Sequence, residues 1–157
     1  MGCAAGFILI LDQLTKWAVN SVLPLNTHRD ILPGFFTLVH WGNTGAAWSL
    51  FSGKNLLLGC VGVVSLFALY FFRKHFEFSR AAGQLAMGMM MGGILGNLLD
   101  RFFRGHVVDF LYFYLITREG RELGYPAFNV ADIGICVGVG VILLLGILRV
   151  KDENPSA

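Results

Sequence analysis

Four long apolar stretches constrain the fold of this chain more than any other feature of its sequence. They cover approximately residues 2–23, 56–72, 81–99 and 132–150. A helix needs about 20 apolar residues to cross the hydrocarbon core of a bilayer. The chain is 14% charged, against about 25% in typical soluble domains, which argues against a soluble bundle. We predict an all-α polytopic membrane protein with four transmembrane helices, forming one membrane domain over residues 1–157.

Charge in the links between the stretches indicates how the chain crosses the membrane. The short link over residues 73–80 carries Arg73, Lys74 and Arg80, and cations favour the cytoplasmic side. Four crossings then place both termini in the cytoplasm and the long links, residues 24–55 and 102–131, outside. The arginines in or near the second long link oppose this assignment: they are Arg101, Arg104, Arg118 and Arg121.

The two outer links differ in pattern. Residues 35–41 form a β-like run that ends at a turn signal over residues 42–45. This predicts a β-strand followed by a turn within the first link. The second link is rich in aromatic residues, which are typical of the membrane–water interface. These are Phe110, Tyr112, Phe113, Tyr114, Tyr125 and Phe128.

Charged and small residues inside the apolar stretches need an explanation, because a charge in mid-membrane costs about 2.5–3.5 kcal/mol. Asp12 and Lys16 are four residues apart, on one helix face, and can pair. Such a pair is either purely structural or helps to shape a site.

Glycines recur every fourth residue at 88, 92 and 96, and at 134 and 138. We expect these ridges to pack the third helix against the fourth.

Three polar residues stand together where the third stretch ends. Asn97 and Arg101 share a helix face, and Asp100 is adjacent to Arg101. They form either a helix cap with a surface ion pair or a polar cluster that supports an interfacial site. A guanidinium at this depth can bind a phosphate or a carbonyl group of lipid or substrate.

Two further acids map to the outer membrane edge. Asp109 has apolar neighbours on both sides, and Asp132 lies where the fourth stretch begins. Two carboxyl groups that meet in an apolar setting share one proton, so one can accept a proton from water while the other donates to a carbonyl oxygen. The alternative for Asp132 is a helix N-cap.

Five motifs together resemble bacterial lipoprotein signal peptidase, also called signal peptidase II. The motifs occur in the order of that family and cover nearly the whole chain. They are Asp12-Gln13-Leu14-Thr15-Lys16, Asn43-Thr44-Gly45-Ala46-Ala47-Trp48-Ser49, Gly93-Ile94-Leu95-Gly96-Asn97-Leu98-Leu99-Asp100-Arg101, Val107-Val108-Asp109-Phe110 and Phe128-Asn129-Val130-Ala131-Asp132.

The resemblance implies an aspartic protease of the bacterial inner membrane, active near its outer face. It also implies that the first outer link forms a small extracytoplasmic β-sheet and loop at the membrane surface. Its substrates are prolipoproteins, cut just before a cysteine that bears a diacylglyceryl group. Asp109 and Asp132 match the catalytic pair, whereas Asp12 and Lys16 match a motif that we expect to be structural. The other matches lie around the active site or substrate: Asn43, Gly45, Asn97, Asp100, Arg101 and Asn129.

The same resemblance implies no metal or organic cofactor, and we expect a monomer whose partners are the lipidated prolipoprotein and membrane lipids. No basic run suggests nucleic-acid binding. The histidines are scattered, which argues against a metal-dependent hydrolase. The three cysteines have no metal-type spacing, and we expect them to be buried.

Two classes without this chemistry remain as alternatives. A transporter or channel would use Asp12, Asp100, Asp109 and Asp132 as proton or cation sites, but it needs acids spread through the membrane depth. A structural subunit would leave the paired Asn and Asp motifs without a role. Cleavage of a lipidated peptide in the presence of chelator separates these alternatives from the peptidase.

Overall fold

The computed structural model describes residues 1–45, 50–73 and 81–153. Four helices occupy the predicted stretches: α1 (Gly2–Val22), α2 (Asn55–Phe72), α3 (Ala81–Phe103) and α4 (Val130–Glu153). Each is long and apolar enough to cross a membrane. Residues 46–49 of the second motif and residues 74–80 of the cationic link lie outside the described residues.

Helix α3 is the centre of the bundle and packs against the other three helices, while α1 also contacts α4. It continues four residues beyond the predicted end, so Asp100 and Arg101 lie inside its last turns. Gly105, at a φ of +77°, follows the helix as a C-terminal glycine that turns the chain away. Cys3, Cys60 and Cys136 are exposed, so the expectation that they are buried is wrong.

The glycine ridges pack differently from our expectation. Space for a side chain at Gly88 and Gly92 is closed by the backbone of α1, at Met1 and Ala5, rather than by α4. The α3–α4 contact instead uses Gly93 of α3, together with Gly134 and Gly138 of α4. One glycine row thus serves α1, and the neighbouring face of α3 serves α4.

A four-stranded antiparallel sheet stands at one end of the bundle, so the all-α description is wrong. Its strands are β1 (His28–Leu32), β2 (Phe36–Asn43), β3 (Val107–Ile116) and β4 (Glu122–Gly124), paired in chain order. The aromatic second link therefore supplies half of the sheet, whereas the prediction placed the sheet in the first link only. The run of β-branched and aromatic residues in β3 suits a pleated, half-buried surface.

The pairing of β2 with β3 brings the two long links together. Asn43, at the end of β2, lies opposite Val107, the first residue of β3, and Trp41 lies opposite Asp109. The first four residues of β3 are buried, while its last two are exposed. The buried half adjoins the ends of α1 and α3, so the functional side chains converge at this junction of sheet and helices.

Candidate active site

Asp109 and Asp132 line one cavity between the sheet and the helices. Asp109 is the third residue of β3, and Asp132 is the third residue of α4. The cavity has a volume of about 670 Å³. Helices α3 and α4 contribute Asn97, Arg101 and Cys136 to its lining. Aromatic side chains also line it: Trp41, Tyr112, Tyr125 and Phe128.

Each oxygen of the Asp109 carboxyl group accepts a hydrogen bond from an asparagine. Asn43 Nδ2 donates to Oδ2 at 2.9 Å, and Asn129 Nδ2 donates to Oδ1 at 2.8 Å. The amide of Asn43 is held in this orientation because Gly45 N–H donates to its Oδ1 at 2.8 Å. This short Asx-type turn is the local reason for an Asn and a Gly two residues apart.

Asp132 is held by the start of its own helix and by α3. Asn129 N–H donates to Asp132 Oδ2 at 3.1 Å, and Asp132 N–H donates to Asn129 Oδ1 at 3.0 Å. This reciprocal arrangement is a capping box. The N-cap is therefore Asn129, and the alternative that placed Asp132 there is wrong. The second oxygen of Asp132 accepts from Asn97 Nδ2 at 2.8 Å.

Asn129 joins the two acids, because its side chain donates to Asp109 and its backbone donates to Asp132. All four carboxyl oxygens thus accept one hydrogen bond each. A carboxylate oxygen has two lone pairs, so each oxygen keeps one for a shared proton or a water molecule in the cavity.

The environment of Asp109 favours a proton near neutral pH. Burial, followed by the neighbouring charge of Asp132, raises its pKa from 3.8 to about 7. Hydrogen bonds from Asn43 and Asn129 and the charge of Lys16 oppose this rise. A pair with one proton is the state that acid–base catalysis by two carboxyl groups requires.

A buried ionic cluster lies beneath the acids. Lys16 Nζ contacts Asp12 Oδ2 at 2.9 Å and Asp100 Oδ2 at 2.8 Å, and all three side chains are fully buried. Gln13 Nε2 donates to Asp12 and Asp100, and Arg104 pairs with Asp100. The predicted Asp12–Lys16 pair is thus confirmed, and it extends to Asp100.

Arg101 binds both Gly45, which follows β2, and Asn55, the first residue of α2. Its Nη2 donates to Gly45 O at 2.8 Å, and its Nη1 donates to Asn55 Oδ1 at 2.9 Å. Asn55 Nδ2 returns a hydrogen bond to Arg101 O at 2.9 Å. Asp100 turns instead towards Lys16 and Arg104, so the alternative of a surface Asp100–Arg101 pair is wrong.

Every site residue that the sequence indicated lies at this junction. Sequence reasoning missed Asn55, Arg104 and the role of Gln13, as well as the aromatic side chains that line the cavity. Gln13 had a detectable signal, because it is an amide inside an apolar stretch beside Asp12. Asn55 had none. Within residues 1–45, 50–73 and 81–153, no three His, Cys, Asp or Glu side chains group as a metal site.

Solved structures define the class of this fold. Two structures, both described as bacterial membrane enzymes determined by the in meso method, superimpose with TM-scores of 0.81 and 0.76, each at 29% identity. The first match covers 99% of this chain and 90% of the other, and the second covers 91% and 89%. The fold is thus that of a bacterial membrane enzyme.

Sequence comparisons identify the family. The family model for signal peptidase (SPase) II matches residues 4–148. A lipoprotein signal peptidase of Symbiobacterium thermophilum is 37% identical over 136 residues, which are 87% of this chain and 86% of the relative. Another from Bacillus pumilus is 34% identical over 152 residues, 96% of this chain and 94% of the relative. The chain belongs to the signal peptidase II family.

The family assignment settles the class of activity. Its members are aspartic peptidases that cleave signal peptides from prolipoproteins. The alternatives of a transporter and of a structural subunit are therefore wrong. The four acids that the transporter alternative used are linked in one network through Lys16, Asn97 and Asn129.

Proposed function

We propose that Asp109 and Asp132 are the catalytic pair of this signal peptidase. The bond that they hydrolyse is the one just before the diacylglyceryl-bearing cysteine of a prolipoprotein. The observation that carries the proposal is the position of Asn129, which donates to both carboxyl groups at the wall of one cavity. No other pair of acids in the described chain lines that cavity.

The chemistry follows from one proton shared by two carboxyl groups. The ionised carboxylate takes a proton from water, and the resulting hydroxide forms a bond to the peptide carbonyl carbon. The neutral carboxyl group donates its proton to the carbonyl oxygen. The tetrahedral intermediate then collapses: the C–N bond breaks and the cysteine nitrogen receives a proton. The products are a signal peptide with a free carboxylate and a lipoprotein with a free amino group.

The supporting residues have separable roles in this proposal. Asn43, Asn97 and Asn129 orient the carboxyl groups, and the Gly45 N–H orients Asn43. Arg101 holds Gly45 at the wall of the cavity, where the substrate backbone passes. Asp12, Lys16 and Asp100 form the buried ionic cluster that supports these residues.

The position of the substrate in the membrane supports a site at the outer face. With four crossings, the sheet and the cavity are on the side opposite to both termini. We place the termini in the cytoplasm and the cavity at the outer interface, where a signal helix in the bilayer and a lipid-bearing cysteine meet water. The enzyme acts as a monomer among membrane lipids and uses no metal or organic cofactor.

The test is cleavage of a lipidated prolipoprotein peptide by purified enzyme in lipid, with chelator present. Asp109→Asn and Asp132→Asn each abolish cleavage, while the proteins remain monodisperse. Asp30→Asn is a matched control, because Asp30 is exposed on β1 and bonds only Thr37 among the described contacts, at 2.7 Å. Substantial turnover by either cavity variant, or loss of wild-type turnover in chelator, would contradict the proposal.

A further inference from the structure

Lys16 makes more contacts than charge neutralisation requires. Its ammonium group, which has three N–H donors, contacts Asp12 Oδ2 at 2.9 Å, Asp100 Oδ2 at 2.8 Å and Asn97 Oδ1 at 3.0 Å. The side chain is fully buried. A single carboxylate would balance its charge, so the contacts to α3 call for a second explanation.

The two carboxylates bound by Lys16 each accept a hydrogen bond from the backbone N–H of the residue that precedes a proposed catalytic acid. Asp12 Oδ1 accepts from Ala131 N–H at 2.9 Å, directly before Asp132. Asp100 Oδ2 accepts from Val108 N–H at 3.2 Å, directly before Asp109. The Lys16 ammonium group thus contacts both the carboxylate that binds the first turn of α4 and the carboxylate that binds the start of β3.

The third contact of Lys16 sets the direction of an amide. An asparagine side chain can present either its oxygen or its NH2 group to a neighbour. Because the ammonium group can only donate, it holds Asn97 Oδ1 and leaves Nδ2 facing Asp132, to which it donates at 2.8 Å. A reversed amide would place its oxygen against the carboxylate, which would raise the energy of the ionised acid.

We infer that Lys16 is a positioning residue for catalysis, which sets the spacing of Asp109 and Asp132 through Asp100, Asp12 and Asn97. This inference rests on the proposed catalytic pair. It assigns to the first helix a function in the reaction, although that helix contributes no side chain to the cavity wall among the described residues.

Removing the charge alone would leave two buried carboxylates with less compensation, so the test uses a charge-balanced pair of substitutions. Asp12→Asn with Lys16→Met keeps the net charge of the cluster, and the Asn oxygen can still accept from Ala131 N–H. We expect folded enzyme whose kcat is lower by about 10- to 100-fold, the scale of a misplaced reactive group. KM should stay within about twofold, because the cavity wall is unchanged.

A pH profile separates positioning from a purely structural role. The charged groups that face Lys16 are Asp12 on α1, Asp100 with its partner Arg104 on α3, and the acid pair of β3 and α4. The charge of Lys16 lowers the pKa of Asp109, and Asp12 is not among the charges that shift it. The charge-balanced variant should therefore keep the proton of Asp109 to higher pH, which moves the alkaline limb of kcat upward. Lys16→Gln in the Asp12→Asn background restores a donor to Asn97 and should recover part of kcat.

Two controls complete the experiment. Lys54→Met makes the same chemical change at an exposed position and should leave kcat and the pH profile unaltered. Asn97→Leu removes the hydrogen bonds of Asn97 to Lys16 and to Asp132 and leaves the contacts of Lys16 with Asp12 and Asp100 in place. It should lower kcat to a similar extent as the charge-balanced variant. Wild-type kcat and an unmoved alkaline limb in the folded charge-balanced variant, or wild-type kcat in Asn97→Leu, would overturn the inference. Activity in Asp109→Asn or Asp132→Asn would instead refute the catalytic pair itself.

Discussion

At the scale of single residues, Asn129 carries two tasks that the sequence presented as one motif. Its side-chain oxygen and backbone N–H cap α4 through Asp132, while its side-chain NH2 group donates to Asp109. It is fully buried. Capping of α4 and the contact with the proposed catalytic Asp109 thus depend on different atoms of the same residue, which makes them separable by substitution.

Asn129→Ser retains an oxygen that can cap the helix but removes the donor to Asp109. We expect nearly wild-type thermal stability and a kcat lower by about 10- to 100-fold. Asn129→Ala loses the cap as well, at a cost of about 1 kcal/mol. Thermal unfolding and peptide cleavage measured on both variants check this prediction. Equal stability of the two variants would mean that the capping box contributes little.

The raised pKa of Asp109 also predicts a dependence of stability on pH. The folded chain retains a proton on this residue up to about pH 7, whereas the unfolded chain loses it near 3.8. The unfolded state therefore binds fewer protons between these values, and stability falls as pH rises, by up to about 1.4 kcal/mol per pH unit.

Unfolding of the enzyme in detergent, followed from pH 5 to pH 8, measures this effect. The wild-type melting temperature should decrease across the range, and the decrease should be smaller in Asp109→Asn, which cannot ionise. Asp30→Asn serves as the control that keeps the wild-type slope. Parallel curves for the wild type and Asp109→Asn would show that burial of this carboxyl group does not couple to folding.

At the scale of helices and strands, local patterns determined what could be predicted. The four helices were found because hydropathy over about 20 residues is a local property. Strand β3 was taken for an interfacial link because its partner, β2, lies more than 60 residues earlier, as the pair Asn43 and Val107 illustrates. The contacts of Asp100 with Val108 and of Asp12 with Ala131 arise only after the helices have packed.

The close packing of α1 on α3 makes Gly92 sensitive to substitution. A side chain there meets the backbone of Ala5, which cannot move without displacing α1 and its Asp12 and Lys16. Gly92→Leu should lower stability by about 1–3 kcal/mol, as overpacking does, and should also reduce activity. Gly140→Leu is the matched control, because nothing lies within 4 Å of that position. Equal melting temperatures of the two variants would contradict close α1–α3 packing.

The simultaneous hydrogen bonds to Gly45 and Asn55 depend on the forked geometry of the Arg101 guanidinium. A lysine at position 101 cannot donate to Gly45 and Asn55 at once from two coplanar nitrogens. Arg101→Lys should raise KM severalfold, with a smaller change in kcat, because Gly45 at the cavity wall loses its contact with α3. Steady-state cleavage kinetics check this, with Arg118→Lys at an exposed position as the control. Unchanged KM would limit Arg101 to a structural contact.

At the scale of the whole molecule, the arrangement of the chain across the membrane is open to a direct test. In a background with Cys3, Cys60 and Cys136 replaced by Ala, single cysteines are placed at Glu119, in the exposed turn after β3, and at Ser79. An impermeant thiol reagent applied to intact cells with a permeable outer envelope should label position 119. Position 79 should require disruption of the inner membrane. The reverse pattern would invert the proposed orientation.

The join between β2 and β3 also bears on how the enzyme is made. The chain consists of two successive helix–hairpin–helix halves, α1–β1–β2–α2 and α3–β3–β4–α4, and the sheet stitches them together. A ribosome that has finished the first half has supplied Asn43 but neither acid. With Asp109 and Asp132 as the proposed catalytic pair, proteolytic activity can arise only late in biosynthesis, after α4 has been made and β3 has paired with β2.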